Sequence, residues 1–179
     1  VGARRDNPSC DTSAVEVSRD IFEVAKNPDI DIVVELIGGT TVARDLVMTA
    51  LDNGKHVVTA NKALIAEHGM EIFAHAEKCN LIVAYEAAVA GGIPIIKGLR
   101  EGLAGNRINW MAGIINGTTN FILSEMDSKG REFADVLTEA QEKGYAEADP
   151  TFDVEGIDAA HKLVIMASLA FAMPLDTKQ

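Results

Sequence analysis

The stretch Asp31–Gly38, DIVVELIG, decides the fold of this chain. It is a short, nearly continuous apolar run rich in β-branched residues, which is typical of a strand buried on both faces of a parallel sheet. The turn Gly38–Thr41 follows, and the amphipathic segment Val42–Asn53 then predicts a helix that ends at Gly54. A strand, a tight turn and a helix therefore form the first unit.

The same unit repeats between residues 56 and 85. We predict a strand at His56–Thr59, a turn at Ala60–Lys62, a helix at Ala63–Lys78 and a strand at Leu81–Tyr85. Strand–helix alternation with short connections predicts an α/β fold with a doubly wound parallel sheet. Ligands of such sheets bind at the carboxyl ends of the strands, where both short turns lie.

The sequence changes character near Glu86, where we place a domain boundary between residues 1–85 and 86–179. A run of small residues follows Glu86, and Pro94 suits the first turn of a helix. We expect an α+β domain there. Its predicted elements are a helix at Ile95–Leu103, a strand at Arg107–Ile115 and helices at Phe121–Met126 and Phe133–Lys143.

The composition excludes several classes of protein. The 179 residues, 47% of them hydrophobic, suffice for one large domain or two partial ones. A net charge of −11 without a basic patch argues against nucleic-acid binding. Cys10 and Cys79 form no disulfide framework and no metal-ligand spacing, which fits a reducing compartment. Since uncharged runs are too short to span a bilayer, we expect a cytoplasmic protein without membrane contacts.

Both ends of the chain suggest a piece of a longer protein. Val1 is not an initiator methionine, and it lies in what we interpret as the tail of a strand. The fingerprint G-x-G-x-x-G, which follows the first strand of a dinucleotide-binding sheet, is absent. We therefore expect a first strand, turn and helix to precede Val1, and further sequence to follow Gln179.

The chemistry is concentrated between Ala140 and Lys162, AQEKGYAEADPTFDVEGIDAAHK. Acidic and apolar residues alternate there, before an uncharged helix that we expect to be buried. Asp158 and Lys162 are four residues apart and share one face of the first turn. The simpler interpretation is an ordinary ion pair, with the other acids favouring a helix N-terminus. The alternative is a proton-donating lysine beside a carboxylate cluster, in which Glu147 or Asp153 binds a cationic substrate group.

The spacing within this stretch resembles the signature of homoserine dehydrogenases. The matching positions are Ala140, Gly144, Tyr145, Ala146, Asp149, Pro150, Asp153, Val154, Gly156, Asp158 and Lys162. The resemblance implies NAD(P)-dependent interconversion of L-homoserine and L-aspartate 4-semialdehyde, by a homodimer, in threonine, methionine and isoleucine biosynthesis. It also implies a partial Rossmann-type parallel sheet in residues 1–85, followed by an α+β substrate-binding and dimerisation domain in residues 86–179.

The resemblance further implies roles for individual residues. Lys162 would protonate the aldehyde oxygen as hydride reaches the carbon, and Asp158 would orient Lys162 or a water molecule. Glu147, supported by Asp153, would bind the α-ammonium group of the substrate from a buried position. The other implied contacts are Tyr145, Gly117 and Thr118 with the substrate, and Gly39, Thr40 and Lys62 with the cofactor.

Simpler interpretations of these positions stay open on the sequence alone. Lys62 also fits a solvated lysine in a turn, and Tyr145 also fits a core tyrosine. The turn Asn116–Asn120 is typical of a helix N-cap. No role is predicted for the histidines, which do not cluster: His56, His68, His75 and His161.

A monovalent cation, Na⁺ or K⁺, is a further implication of the resemblance. The implied ligands are Glu86 and the carbonyl groups of Val89, Gly91 and Ile93, which are hard oxygen donors. The family often has glycine where this chain has Ala90, so the chain departs from the pattern there. Glu86 also fits a carboxylate that caps a helix.

Two basic residues near the start of the chain favour NADP over NAD. Arg4 and Arg5 follow the presumed second strand of the sheet, where positive charge suits a 2′-phosphate. Because the glycine-rich turn would lie upstream of them, we expect the chain alone to bind a dinucleotide weakly and to be inactive.

Three alternative functions are open. A semialdehyde dehydrogenase of the acylating type would need a catalytic cysteine in a suitable turn, which is missing. A non-catalytic assembly or regulatory domain that retains the fold would have no physical need of Lys162 and the acid cluster. A calcium-binding loop is disfavoured because Asp149, Asp153 and Glu155 lack the alternating ligand spacing.

Overall fold

A three-stranded parallel sheet forms the centre of the first half of the chain. The computed structural model describes residues 1–5 and 7–176. The strands are β1 Ile32–Glu35, β2 His56–Thr59 and β3 Val83–Ala84, and they lie side by side in that order. Since Glu35 pairs with Thr59, the carboxyl ends of β1 and β2 are level. The predicted α/β fold is confirmed.

Helices connect the strands and build the second half of the described chain. They are α1 Ile21–Lys26, α2 Thr41–Asp52, α3 Lys62–Lys78, α4 Ile95–Lys97, α5 Gly117–Lys129, α6 Phe133–Glu142, α7 Thr151–Val154 and α8 Ile157–Phe171. A 3₁₀ turn at Glu86–Ala88 precedes α4, and a π-helical turn at Gly98–Gly102 follows it. Across residues 1–5 and 7–176, none of these helices has both the length and the apolar character that a membrane crossing requires.

The first core lies between one face of the sheet and helices α1, α2 and α3. Its large buried side chains are Val33, Leu46, Val47, Leu51, Val57, Leu64 and Ile72. Burial alternates along β1. Val33 and Glu35 are buried, whereas Ile32 and Val34 on the other face are 54% and 58% exposed. The prediction that β1 is buried on both faces is therefore wrong, since the described residues cover only one of them.

The second core joins α3 to α8 and to the segment around α4. Ile65 contributes from α3, and Ile165 from α8. Gly69 permits close contact there, because a Cβ atom at Gly69 would lie 2.5 Å from Cδ1 of Leu175. Leu163, on the opposite side of α8, is 48% exposed. The expectation of a fully buried helix is therefore wrong for α8, which is buried on one face only.

The segment 107–115 was expected to form a strand, and this prediction is wrong. The segment is irregular, and its side chains Trp110 and Ile114 are 77% and 79% exposed. A strand needs a neighbour that accepts and donates ladder hydrogen bonds. Within the part of the chain that the structure describes, no strand lies beside this segment.

Candidate active site

A cleft of about 760 Å³ lies where the start of α3 meets α5, α7 and α8. Lys62 enters it from the first turn of α3, and Lys162 enters it from α8. The cleft brings together most of the residues for which the sequence suggested a role in chemistry or in substrate binding. They are Lys62, Gly117, Thr118, Tyr145, Glu147, Asp153, Asp158 and Lys162.

Asp158 is the centre of the polar network in this cleft. It is only 7% exposed, and its Oδ2 accepts hydrogen bonds from Nζ of Lys162 at 2.7 Å and from Nδ2 of Asn116 at 2.9 Å. Its Oδ1 lies 3.1 Å from Nζ of Lys62. Burial raises the pKa of Asp158, but the hydrogen bonds from Lys162, Asn116 and Lys62 outweigh burial and lower that pKa below its ordinary value. The carboxylate is therefore charged and shared by two ammonium groups.

The ammonium group of Lys162 is held by two acceptors. Besides Asp158, its Nζ donates a hydrogen bond to the carbonyl oxygen of Ile115 at 2.8 Å, and its side chain is 18% exposed. An ammonium group has three N–H donors. The third donor of Lys162 has no partner among the described residues, so it is available to a ligand in the cleft. The predicted i, i+4 pair is confirmed, but it is a largely buried pair rather than a solvated one.

Asn116 links two carboxylates, a role that sequence reasoning missed. Its Nδ2 donates to Oδ1 of Asp153 at 2.7 Å and to Oδ2 of Asp158 at 2.9 Å. Its Oδ1 accepts hydrogen bonds from the backbone N–H and the hydroxyl group of Thr119, both at 2.7 Å. The N-cap suggested by the turn Asn116–Asn120 is therefore present, and the same amide group also separates two negative charges.

The residues expected to bind substrate differ in their accessibility. Glu147 is exposed at the rim of the cleft, so the expectation of a buried Glu147 is wrong: the loop between α6 and α7 holds it in solvent. Asp153 is half-buried beside Asn116. Tyr145 is 56% exposed rather than in the core, and its ring meets Phe121 edge-on at 5.2 Å. The hydroxyl group of Thr118 donates to the carbonyl oxygen of Tyr145 at 2.7 Å.

Two family models match nearly the whole chain. The model described as homoserine dehydrogenase, NAD binding domain, matches residues 1–86, and the model described as homoserine dehydrogenase matches residues 94–179. The chain belongs to the homoserine dehydrogenase family. The homoserine dehydrogenase of Pseudomonas aeruginosa is 71% identical over 175 residues, which are 98% of this chain and 40% of that protein. The chain thus spans about 40% of the length of this curated relative.

Solved homoserine dehydrogenases share the structure as well as the sequence. The enzyme from Thiobacillus denitrificans superposes with a TM-score of 0.90 at 63% identity, over 93% of this chain and 39% of that chain. A hyperthermophilic archaeal homoserine dehydrogenase in complex with NADPH gives a TM-score of 0.80 at 34% identity, over 87% of this chain and 48% of that chain.

A smaller cleft of about 310 Å³ adjoins the first one at the carboxyl edge of the sheet. Gly39, Lys62 and Phe152 contribute to its walls, whereas Thr40 lies half-buried at the N-cap of α2. Gly38 and Gly39 have φ angles of +73° and +70°, and a Cβ atom built on either would meet nothing within 4 Å. The turn therefore leaves open space in which a ligand of this homoserine dehydrogenase domain can approach the backbone. Lys62 and Phe152 line both clefts.

The expected cation site of the family lies around the 3₁₀ turn. Both carboxylate oxygens of Glu86 accept backbone hydrogen bonds at 2.9 Å, from Ile96 and Lys97, so Glu86 caps α4. Ala90 has a φ angle of +50°, a conformation that favours glycine. The carbonyl group of Ile93 accepts a hydrogen bond from the N–H of Ile95, and those of Val89 and Gly91 accept none from the described residues.

Proposed function

We propose that this chain supplies the substrate site and part of the cofactor site of a homoserine dehydrogenase. The reaction is the interconversion of L-homoserine and L-aspartate 4-semialdehyde with NAD(P). The observation that carries the proposal is the position of Asp158, which holds Lys162 and Lys62 together in one cleft. Family membership supports it, since 98% of the chain aligns with a homoserine dehydrogenase.

The chemistry of aldehyde reduction explains the need for Lys162. The bound NAD(P) cofactor supplies or accepts the hydride. When hydride reaches the aldehyde carbon, negative charge grows on the oxygen, and an ammonium group both stabilises this charge and supplies the proton. Lys162 has one N–H donor without a partner among the described residues, because Ile115 and Asp158 accept the other two, and this donor is available to that oxygen. Asp158 orients this donor, and Lys62 adds positive charge at the junction of the two clefts.

The substrate's α-ammonium group is bound by the carboxylates of Glu147 and Asp153, which line the same cleft as Lys162. Glu147 is exposed and makes no ion pair with a described residue, so it is available to a cation. Asp153 has one oxygen bound to Asn116 and can offer the second. Gly117 and Thr118, in the first turn of α5, and Tyr145 also line the cleft and complete the substrate contacts.

Gly39, Thr40 and Lys62 would hold the cofactor beside the Gly38–Gly39 turn. The open space beside the two glycines supports this part of the proposal, because a backbone without side chains lets a ligand approach closely. NADP is preferred to NAD, since Arg4 and Arg5 are both exposed and suit a 2′-phosphate. Replacing both arginines by glutamine would then lower the NADP/NAD ratio of kcat/KM.

A monovalent cation, Na⁺ or K⁺, belongs to the same proposal. The carbonyl groups of Val89 and Gly91, which accept no hydrogen bond within residues 1–5 and 7–176, support it, because hard oxygen donors bind such ions. Glu86 and Ile93 complete the ligand set, although each already accepts backbone hydrogen bonds. Comparing activity in sodium, potassium and tetramethylammonium chloride at equal ionic strength tests it, and equal rates in all three salts would contradict it.

The proposal extends to the organisation of the whole enzyme. A boundary near Glu86 separates a nucleotide-binding part from a substrate-binding part, and the gap between the two family matches supports it. The enzyme is a cytoplasmic homodimer that contacts no nucleic acid and no membrane. Its interface includes the segment 107–115, where Trp110 and Ile114 expose large apolar surfaces.

The test uses a chimera, in which this chain replaces the matching 175 residues of the Pseudomonas aeruginosa relative. Homoserine-dependent reduction of NADP⁺ and NAD⁺ is measured for the chimera and for its Lys162→Ala variant. We expect activity that collapses in the variant. A folded chimera without activity would contradict the proposal and would favour a non-catalytic domain that retains the fold.

A further inference from the structure

Glu35 is a fully buried carboxylate that the proposed reaction does not use. It ends β1 and is 0% exposed. Its Oε1 accepts hydrogen bonds from the backbone N–H groups of Ile37 at 2.8 Å and Gly38 at 3.2 Å. Its Oε2 accepts a hydrogen bond from the hydroxyl group of Thr59 at 2.6 Å. Burial of a charged group is unfavourable without such partners, and this carboxylate lies at a position where an apolar residue would fit the strand pattern.

Thr59 connects Glu35, at the end of β1, to the turn that follows β2. It is 0% exposed, and its Oγ1 accepts a hydrogen bond from the backbone N–H of Asn61 at 3.0 Å. The side chain of Asn61 donates to the carbonyl oxygen of Gly39 at 2.6 Å and accepts from the N–H of Leu64 at 3.1 Å. The hydrogen bonds thus form a closed ring through both turns at the carboxyl edge of the sheet. Asn61, one member of this ring, directly precedes Lys62 in the sequence.

We infer that Glu35 and Thr59 are positioning residues, whose hydrogen bond fixes the cofactor turn Gly38–Gly39 relative to Lys62. The inference rests on the proposed function for the identity of the ligand, a nicotinamide dinucleotide. The two turns contribute to the walls of the smaller cleft, and the glycine turn has no packed side chain of its own to hold it. Its conformation therefore depends on the acceptors that Glu35 offers to Ile37 and Gly38.

The deciding variants are Thr59→Val and Thr59→Ser in the chimera. Valine keeps the shape of threonine but removes the hydroxyl group, whereas serine keeps the hydroxyl group. Loss of one hydrogen bond to a buried charged group weakens an interaction about tenfold or more. We therefore expect Thr59→Val to raise the dissociation constant of NADPH, measured by fluorescence titration, by about tenfold, and Thr59→Ser to change it less than about threefold. In steady-state kinetics the KM for NADP⁺ should rise in parallel, with a smaller change in kcat.

A second readout is independent of the reaction. Amide hydrogen exchange of the ligand-free chimera should show protected N–H groups at Ile37, Gly38 and Asn61, and faster exchange at all three in Thr59→Val. If Thr59→Val does not fold, Glu35→Gln replaces it, because glutamine retains the size of glutamate but has one acceptor oxygen instead of two, so it cannot accept hydrogen bonds from both the Thr59 hydroxyl group and the backbone N–H groups of Ile37 and Gly38. The same increases in dissociation constant and in exchange are then expected.

Two results would overturn the inference. One is an unchanged NADPH dissociation constant and unchanged exchange in a folded Thr59→Val or Glu35→Gln variant. The other is equal weakening by valine and serine at position 59, which would show that the hydroxyl group is irrelevant. If the chimera has no homoserine dehydrogenase activity at all, the proposed function fails, and the exchange pattern alone decides whether Glu35 and Thr59 fix the turn.

Discussion

Lys62 and Asp158 form an ion pair, with Nζ and Oδ1 3.1 Å apart, that ties the first turn of α3 to the first turn of α8. The other oxygen of the same carboxylate binds Lys162 at 2.7 Å. α3 follows the central strand of the sheet, whereas α8 begins near the end of the stretch Ala140–Lys162. One buried carboxylate therefore sets the position of two ammonium groups that come from separate parts of the chain.

Lys162→Ala should abolish most of the catalytic activity and leave the fold intact. The variant loses the free N–H donor that we assign to the substrate oxygen, and general acid catalysis contributes about 10²–10⁴-fold to rate. We expect kcat of the chimera to fall by that factor, with an unchanged circular dichroism spectrum. Lys78→Ala, an exposed lysine at the end of α3, is the control and should keep full activity. Near-normal turnover of a folded Lys162→Ala variant would exclude the assignment.

Asp158→Asn should lower stability at neutral pH and not in acid. The folded-state pKa of Asp158 lies below its ordinary value, so its stabilising contribution is complete above about pH 4 and is lost as the pH falls through the folded-state pKa. At pH 7 the variant leaves two cations without their partner, which costs about 1–3 kcal/mol.

Thermal unfolding between pH 3 and pH 7 measures this difference. The melting temperatures of the two proteins should converge as the pH falls below about 4. Asp127→Asn, at an exposed site in α5, is the control. A difference in melting temperature that stays constant with pH would show that loss of the ion pairs of Asp158 does not cause the lower stability of the variant.

Asn116→Ser separates the two functions of Asn116. Serine still accepts a hydrogen bond at the N-cap of α5, but it cannot bridge Asp153 and Asp158. Asp158 then loses one of the hydrogen bonds that lower its pKa, and the two carboxylates repel each other, which disturbs Lys162. We expect kcat to fall about tenfold or more, since hydrogen bonds to charged groups are worth about 1.5–3 kcal/mol.

Asn116→Ala is the matched comparison for the cap. It should lose a similar amount of activity and in addition about 1 kcal/mol of stability, measured by denaturant unfolding, because no side-chain oxygen caps α5. If Asn116→Ser has the activity and the stability of the unsubstituted chimera, the bridge between the carboxylates has no role in the reaction.

Glu147→Gln should weaken homoserine binding more than it slows turnover. Glutamine keeps the shape but removes the charge that we assign to the α-ammonium group. We expect the KM for homoserine to rise about tenfold, equivalent to about 1.4 kcal/mol, while kcat changes little. Glu142→Gln, an exposed carboxylate at the end of α6, is the control. An unchanged KM would assign the α-ammonium group to Asp153 instead.

The fold could be predicted where one local pattern determines the structure. The β-branched stretch Asp31–Gly38 contains a strand, and the helices after the two tight turns begin within one or two residues of the predicted positions. The segment 107–115 has the same kind of sequence but no neighbouring strand in the described structure, so its propensity is not realised. Strand formation depends on partners that a single segment does not encode.

The site could be predicted where its residues are close in sequence. The spacing of Asp158 and Lys162 was enough to predict their ion pair, because four residues make one helical turn. Lys62 and Asn116 reach the same carboxylate only through the packing of α3 and α5, which no local pattern reveals. The structural role of Glu35 was not predicted, because a single acidic residue within an apolar strand can also lie on the surface without any role. The signal was its polarity at a position of the strand that must be buried.

The shared walls of the two clefts couple the binding of one ligand to the binding of the other. Lys62 and Phe152 line both clefts, so a ligand that contacts them in one cleft changes the surface that the second ligand meets. Such coupling between two dissociation constants is reciprocal. For the proposed cofactor and amino acid we therefore expect dissociation constants that depend on each other, and in an initial-rate study with both concentrations varied each apparent Michaelis constant should depend on the concentration of the other ligand.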